Sequence, residues 1–151
     1  MRRLRAVWSE TRGQALVEFS LVVFLLVVIL FSILEGGLVI NAKTVLTSAA
    51  RETARVCAVE GGRTPGALQR LSDSLTAGGI DPDEVTALIS PGQAIYGTTI
   101  RVELRYDYKV VSPVVRAIVG TSIPLTSEAV TRSEFVPRKR RGGFRPGLRL
   151  V

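Results

Sequence analysis

The sequence predicts an α+β chain in which one long N-terminal transmembrane helix continues into an extracytoplasmic domain and packs there against a small antiparallel sheet of about three strands. Three observations predict it. No residue from Phe19 to Leu34 is charged. Apolar side chains recur at spacings of three and four through the Ala-rich stretch from Asn41 to about Val59. Ile100, Val102, Leu104, Tyr106, Tyr108 and Val110 alternate strictly with Arg101, Glu103, Arg105, Asp107 and Lys109.

The first observation defines the span. With Gln14 to Val17 in front and Gly36 to Ile40 behind, the apolar run reaches the roughly 20 residues that cross a bilayer. A cleaved secretory signal is the nearest competitor, but its apolar core is about 7–15 residues and ends at a small-x-small site, for which Ile40-Asn41-Ala42 is a poor match. A run that is apolar on every face and rich in Val and Ile also fits lipid better than a helix with one wet side. Arg2, Arg3, Arg5 and Arg12 precede the span, whereas Lys43, Arg51 and Arg55 follow it mixed with Glu35 and Glu52. That bias places the N-terminus in the cytoplasm and the following domain outside. The expected organisation is a basic cytoplasmic leader over 1–13, a transmembrane helix over 14–35, an extracytoplasmic α+β domain over 36–137 and a disordered basic tail over 138–151.

Charge and composition narrow the function. The net charge of +7 resides at the two ends, in the leader and in Arg138, Lys139, Arg140, Arg141, Arg145 and Arg149, while the middle is slightly acidic. The folded part therefore carries no electrostatic footprint for nucleic acid. Without histidine, and with Cys57 as the single cysteine, one chain assembles no zinc site, Cys–His pair or internal disulfide. No cofactor is expected. Asp81, Asp83 and Glu84 fall in one turn-like stretch where acids are usually solvated, so an enzyme is not expected. Cys57 reads as a small buried hydrophobe on a helix.

Within the domain, Gly36-Gly37 is expected to loosen the helix before it resumes, because each Gly costs up to about 1 kcal/mol there. Beyond the pair, Leu38, Val45, Ala49, Thr53 and Val56 form a narrow apolar stripe. Gly61-Gly62-Arg63-Thr64-Pro65-Gly66 ends the helix, and Ala67 to Ala77 reads as a second one with Leu68, Leu71 and Leu75 on one face. Strands are expected at about Glu84–Ser90, Thr98–Val111 and Ser122–Phe135, the middle one apolar on the face that covers the long helix and charged on the other. Val114 to Val119 reads equally as a short helix or an exposed apolar turn.

Glu18 stands at the membrane edge of the span, where a lone carboxylate either marks the boundary and reaches to water or has a partner. Its setting, Arg12-Gly13-Gln14-Ala15-Leu16-Val17-Glu18-Phe19, resembles the processing site of type IV prepilins, in which a basic leader ends in Gly and a Glu follows five residues later. Cleavage after Gly13 would free the amine of Gln14 one turn from Glu18 and create a cation for it to pair with. Together with Glu35-Gly36-Gly37, Ala49-Ala50-Arg51-Glu52-Thr53-Ala54-Arg55, the Thr99–Tyr108 strand, Ser112-Pro113 and Ala129-Val130-Thr131-Arg132-Ser133-Glu134, the chain resembles the TadE-like family, the pseudopilins of the tight-adherence (Flp) pilus system. The family commonly carries an aromatic residue after the Glu at the end of the span, where this chain has Gly36.

The resemblance implies a pilin-like fold and a structural role as a membrane-anchored pseudopilin or minor-pilin-like component. It implies processing at Gly13-Gln14 by a prepilin peptidase, and Glu18 and Phe19 as assembly or register residues. Glu35, Gly36, Arg51, Glu52, Arg55, Arg132 and Glu134 are its motif positions. The implied partners are the membrane, the peptidase, other pilin or pseudopilin subunits and inner-membrane assembly proteins. The implied location is the cell membrane, with a place in a pilus after processing. The alternative is an unprocessed single-pass envelope protein that presents its domain and basic tail to envelope polymers.

Overall fold

The computed structural model describes residues 2–137, with side chains from residue 13 onward. The basic tail expected over 138–151 lies outside the described residues. The element order is α1 (Arg2–Glu60), α2 (Pro65–Ala77), a 3-10 turn (Pro82–Glu84), β1 (Val85–Ser90), β2 (Thr99–Lys109), α3 (Pro113–Val119) and β3 (Ser122–Arg132). The predicted strands are each present, trimmed by one to three residues at their ends.

Helix α1 is 59 residues long, about 88 Å at ~1.5 Å per residue, and it passes through Gly36-Gly37 without a break. The expected loosening there is not observed. Both glycines sit where an added Cβ would meet nothing, so they lie in regular helix with open space beside them. From Gly13 to Leu34 the helix is bare: its most apolar stretch has a mean hydropathy of 2.9 and none of it is buried. The two serines between Gly13 and Leu34, Ser20 and Ser32, donate to the carbonyls of Leu16 and Val28 at 2.7 Å, which satisfies their hydroxyls within the helix, as a segment without water requires. The helix is long and apolar enough to anchor in a membrane.

From Glu35 onward the helix carries the domain. Ala42, Leu46, Ala49, Ala50, Thr53, Ala54, Cys57 and Ala58 are buried in a band wider than the narrow stripe the sequence suggested. The reason is that this part of α1 packs against both α2 and the β2–β3 face. Small side chains let both approach closely. Leu38, assigned to the stripe, is instead exposed, and Leu68 of α2 lies at the rim while Ala67, Leu71 and Leu75 are buried. Cys57 is buried as expected, and burial pushes its thiol pKa up. Thr53 is fully buried yet its hydroxyl has no hydrogen-bond partner. Replacing it with the near-isosteric Val should raise stability by about 1 kcal/mol, read as a shift in denaturation midpoint, because an unmet polar group is removed from the core.

The turn after α1 is closed by Gly61 and Gly62, whose amides both bond to the Cys57 carbonyl. Gly62 has φ +117°, and an added Cβ would lie 2.5 Å from the Gly92 carbonyl oxygen, so only glycine fits this close approach. Thr64 then caps α2 by accepting from the Ala67 amide at 3.1 Å, with Pro65 in the first turn.

The sheet is an antiparallel meander in the order β1-β2-β3. Its register sets Val85, Ala87 and Ile89 opposite Tyr106, Leu104 and Val102, and Ile123, Leu125 and Ala129 opposite Tyr108, Tyr106 and Val102. The period-two pattern of β2 thus lands with Ile100, Val102, Leu104 and Tyr108 in the core against α1, as the sequence predicts. The opposite face is laced by ion pairs, Arg101 to Glu128 at 3.0 Å, Arg105 to Glu103 at 2.7 Å, and Lys109 to Glu84. These are exposed and contribute little beyond solubility. The stretch Val114 to Val119 resolves as a helix: α3 is capped by Ser112, which accepts from the Val115 amide at 3.4 Å.

Candidate functional site

The sequence draws attention to Glu18, but the carboxylate that the fold buries is Glu35. It is the first buried side chain of α1 counted from Gly13, only 3% exposed, at the point where the bare helix enters the domain. Its oxygens accept from the Tyr108 hydroxyl at 3.0 Å, the Val111 amide at 2.9 Å and the Ser112 amide at 2.8 Å. Three donors from the end of β2 and the cap of α3 thus converge on one helical residue more than 70 positions earlier in the chain. Both amides lie in a turn that would otherwise leave them unpaired.

Each donor is held in turn. Tyr108 occupies the apolar register of β2, so its ring is buried and its hydroxyl is directed along the sheet end toward α1. Burial, followed by the hydrogen bond to Glu35, pushes its phenol up to about 12. The Val110 amide donates to Thr121 across the base of the α3 excursion, and the Arg116 guanidinium donates to the Val110 carbonyl at 2.7 Å. The result is a clasp that fixes the β2–α3 turn to α1. It contains no nucleophile–base pair and acts by position.

The other motif residues distribute over the chain. Gly13, Gln14, Glu18 and Phe19 are exposed on the bare helix, Phe19 at 66%. Glu18 is the only charged residue between Gly13 and Leu34. Glu52 leaves the helix toward α2, where the Ser74 hydroxyl donates to it at 2.7 Å and Arg70 pairs with it. Those two bonds, Ser74 first, hold its carboxyl below the usual range. Arg51, Arg55 and Glu134 line one shallow groove between α1 and β3, with no ion pair among them, and Arg132 is exposed at the end of β3. The Glu134 amide donates to the Ala58 carbonyl at 2.8 Å, so the R-x-E ending serves as backbone closure of the domain onto α1. Among the described residues no group of acidic, Cys or His side chains is arranged to hold a metal ion.

The Glu35 clasp escaped sequence reasoning. Its available signals were a tyrosine in the apolar register near the end of a strand and a Ser-Pro helix start just after it, both donors in search of an acceptor.

No curated relative and no solved structure matches the chain significantly. The family comparison is positive where the motifs are densest. From Gly13, before the span, to Arg55, in the domain-bearing part of α1, the chain matches the model of the TadE-like protein family.

Proposed function

We propose that the chain is a membrane-anchored, pseudopilin-like structural component of a tight-adherence pilus assembly or secretion system, processed by a prepilin peptidase after Gly13, and not an enzyme. The observation that carries the reading is the division of α1 into a bare apolar half and a domain-bearing half within the stretch that matches the family. An apolar helix with no buried side chain from Leu16 to Leu34 needs lipid in the membrane, and in an assembly it needs the same helix of other subunits. Both environments accept one surface. Transfer between them is therefore cheap in apolar terms.

Glu18 gives the transfer a direction. Alone at the membrane edge it is held at some cost, and paired with the freed amine of Gln14 on a neighbour it becomes a register mark between helices. Helix α1 runs through Gly13, so cleavage requires local unwinding there, which glycine makes easier than any residue but proline. The leader is then the cytoplasmic end and the domain lies outside. The partners are the peptidase, other pilin or pseudopilin subunits and the inner-membrane assembly proteins.

The test is the mass of the chain isolated from cells with and without an active prepilin peptidase. A mature form beginning at Gln14 in the first, and an uncut form in the second, is expected. A chain still beginning at Met1 in peptidase-competent cells would rule out processing and favour the unprocessed envelope protein.

A further inference from the structure

Helix α3 poses a problem that the assembly role does not answer. It is short, yet Val111 just before it and Ile118 and Val119 at its end are exposed at 65%, 68% and 56%. Apolar side chains gathered on one excursion of the chain need a covering surface. Their location says what it is.

The Glu35 clasp fixes the start of α3 at the end of the span, since Glu35 directly follows the uncharged run and bonds to the amides of Val111 and Ser112. A hydrocarbon layer of ~30 Å takes up about 20 residues of helix, so a span entered near Ala15 leaves near Leu34. Phe31 lies one turn before Glu35 on the same face of α1, about 6 Å deeper. It is partly covered, whereas Phe19 and Phe24 on the bare helix are 66% and 68% exposed. Helix α3 packs on α1, and the bonds of Glu35 to Tyr108, Val111 and Ser112 place the end of β2 and the start of α3 at this end of the domain. The excursion thus starts beside the last turn of the span, with exposed apolar residues of its own.

We infer that α3 with Val111 is an interfacial foot, which rests in the outer boundary of the membrane with Ile118 and Val119 against acyl chains. The inference rests on the anchored reading above. The foot fixes the height and tilt of the domain, because the clasp makes α3 and α1 one rigid piece at the membrane surface. Arg116, whose guanidinium is tied to the Val110 carbonyl, sits on the same helix, with its charged end directed back toward the polar side of the boundary.

The full chain carrying Trp8→Phe is reconstituted at low density in phosphatidylcholine vesicles whose acyl chains are brominated, and single tryptophans are introduced at Ile118, at Leu26 in the span, and at Ile95, exposed at the opposite end of the domain. Emission should fall about twofold at positions 118 and 26 relative to unbrominated vesicles and stay unchanged at 95, as expected for a side chain ~5–10 Å into the boundary. Quenching at 26 without quenching at 118 overturns the foot and leaves the anchor standing. Absence of quenching at both overturns the two together. A position 118 that is shielded from bromine only as protein density rises shows that a second copy covers the patch, which also overturns the foot.

Discussion

Truncating Leu46 to alanine should cost the domain about 2–5 kcal/mol, a large part of the stability of a unit this size. Leu46 is completely buried and lies on α1 midway between the Glu35 clasp and the Gly61-Gly62 turn, in the one hydrophobic core of the domain. Most of its buried helical neighbours are alanines, so the cavity has no longer side chain on α1 to collapse into it. Leu38→Ala, two turns earlier and 47% exposed, is the control and should leave the domain unaffected. Chemical denaturation of both variants in detergent micelles, followed by tyrosine fluorescence, checks the contrast. Equal stability of the two would mean that the sheet does not dock on α1 at Leu46.

The second large effect belongs to Glu35. Replacing it with alanine removes the acceptor for two backbone amides and a buried phenol at once. Hydrogen exchange at Val111 and Ser112 should accelerate by an order of magnitude or more, while the pairing of Ile100 with Thr131 and of Val102 with Ala129, at the other end of the sheet, keeps its protection. The Tyr108 phenol should titrate below its present value of about 12, toward what burial alone imposes. Tyr108→Phe should reproduce part of the loss, about 1.5–3 kcal/mol, and leave the two amide bonds in place. A Glu35→Ala variant whose Val111 and Ser112 amides remain protected would show that the turn holds itself without the clasp.

Much of this architecture was legible because its elements obey short-range rules. The β2 strand could be read from its own residues: a sheet dry on one face and wet on the other imposes period two, and Ile100 to Tyr108 display it. The span was legible for the same reason, since lipid on every side removes periodicity and charge alike. The domain-bearing part of α1 was harder. Reading weight by hydrophobicity favoured Leu38, but the sheet and α2 settle on Ala42, Ala49, Ala50 and Ala54, where small size permits contact and hydrophobicity is modest. Leu38 lies outside that footprint. The continuity through Gly36-Gly37 likewise reflects neighbours: helix is secured on both sides of the pair, so two poor helix formers are carried along.

The clasp was not legible because its logic is long-range. A glutamate at the end of an apolar run has the local character of a membrane boundary residue, and only the pairing of β2 with β3 brings Tyr108, Val111 and Ser112 to it. Glu18 presents the opposite case. It is equally conspicuous in sequence, and it is exposed on the bare helix.

The central claim is that one helix anchors the chain in the membrane and carries the domain outside, and the most direct measurement of it is labelling of single cysteines in a Cys57→Ser background by a membrane-impermeant maleimide on spheroplasts. A cysteine at Thr86, exposed on β1, should be labelled in intact spheroplasts, and one at Leu26 should resist labelling before and after lysis. Labelling of the Thr86 position only after lysis, or of the Leu26 position in intact spheroplasts, would contradict the account.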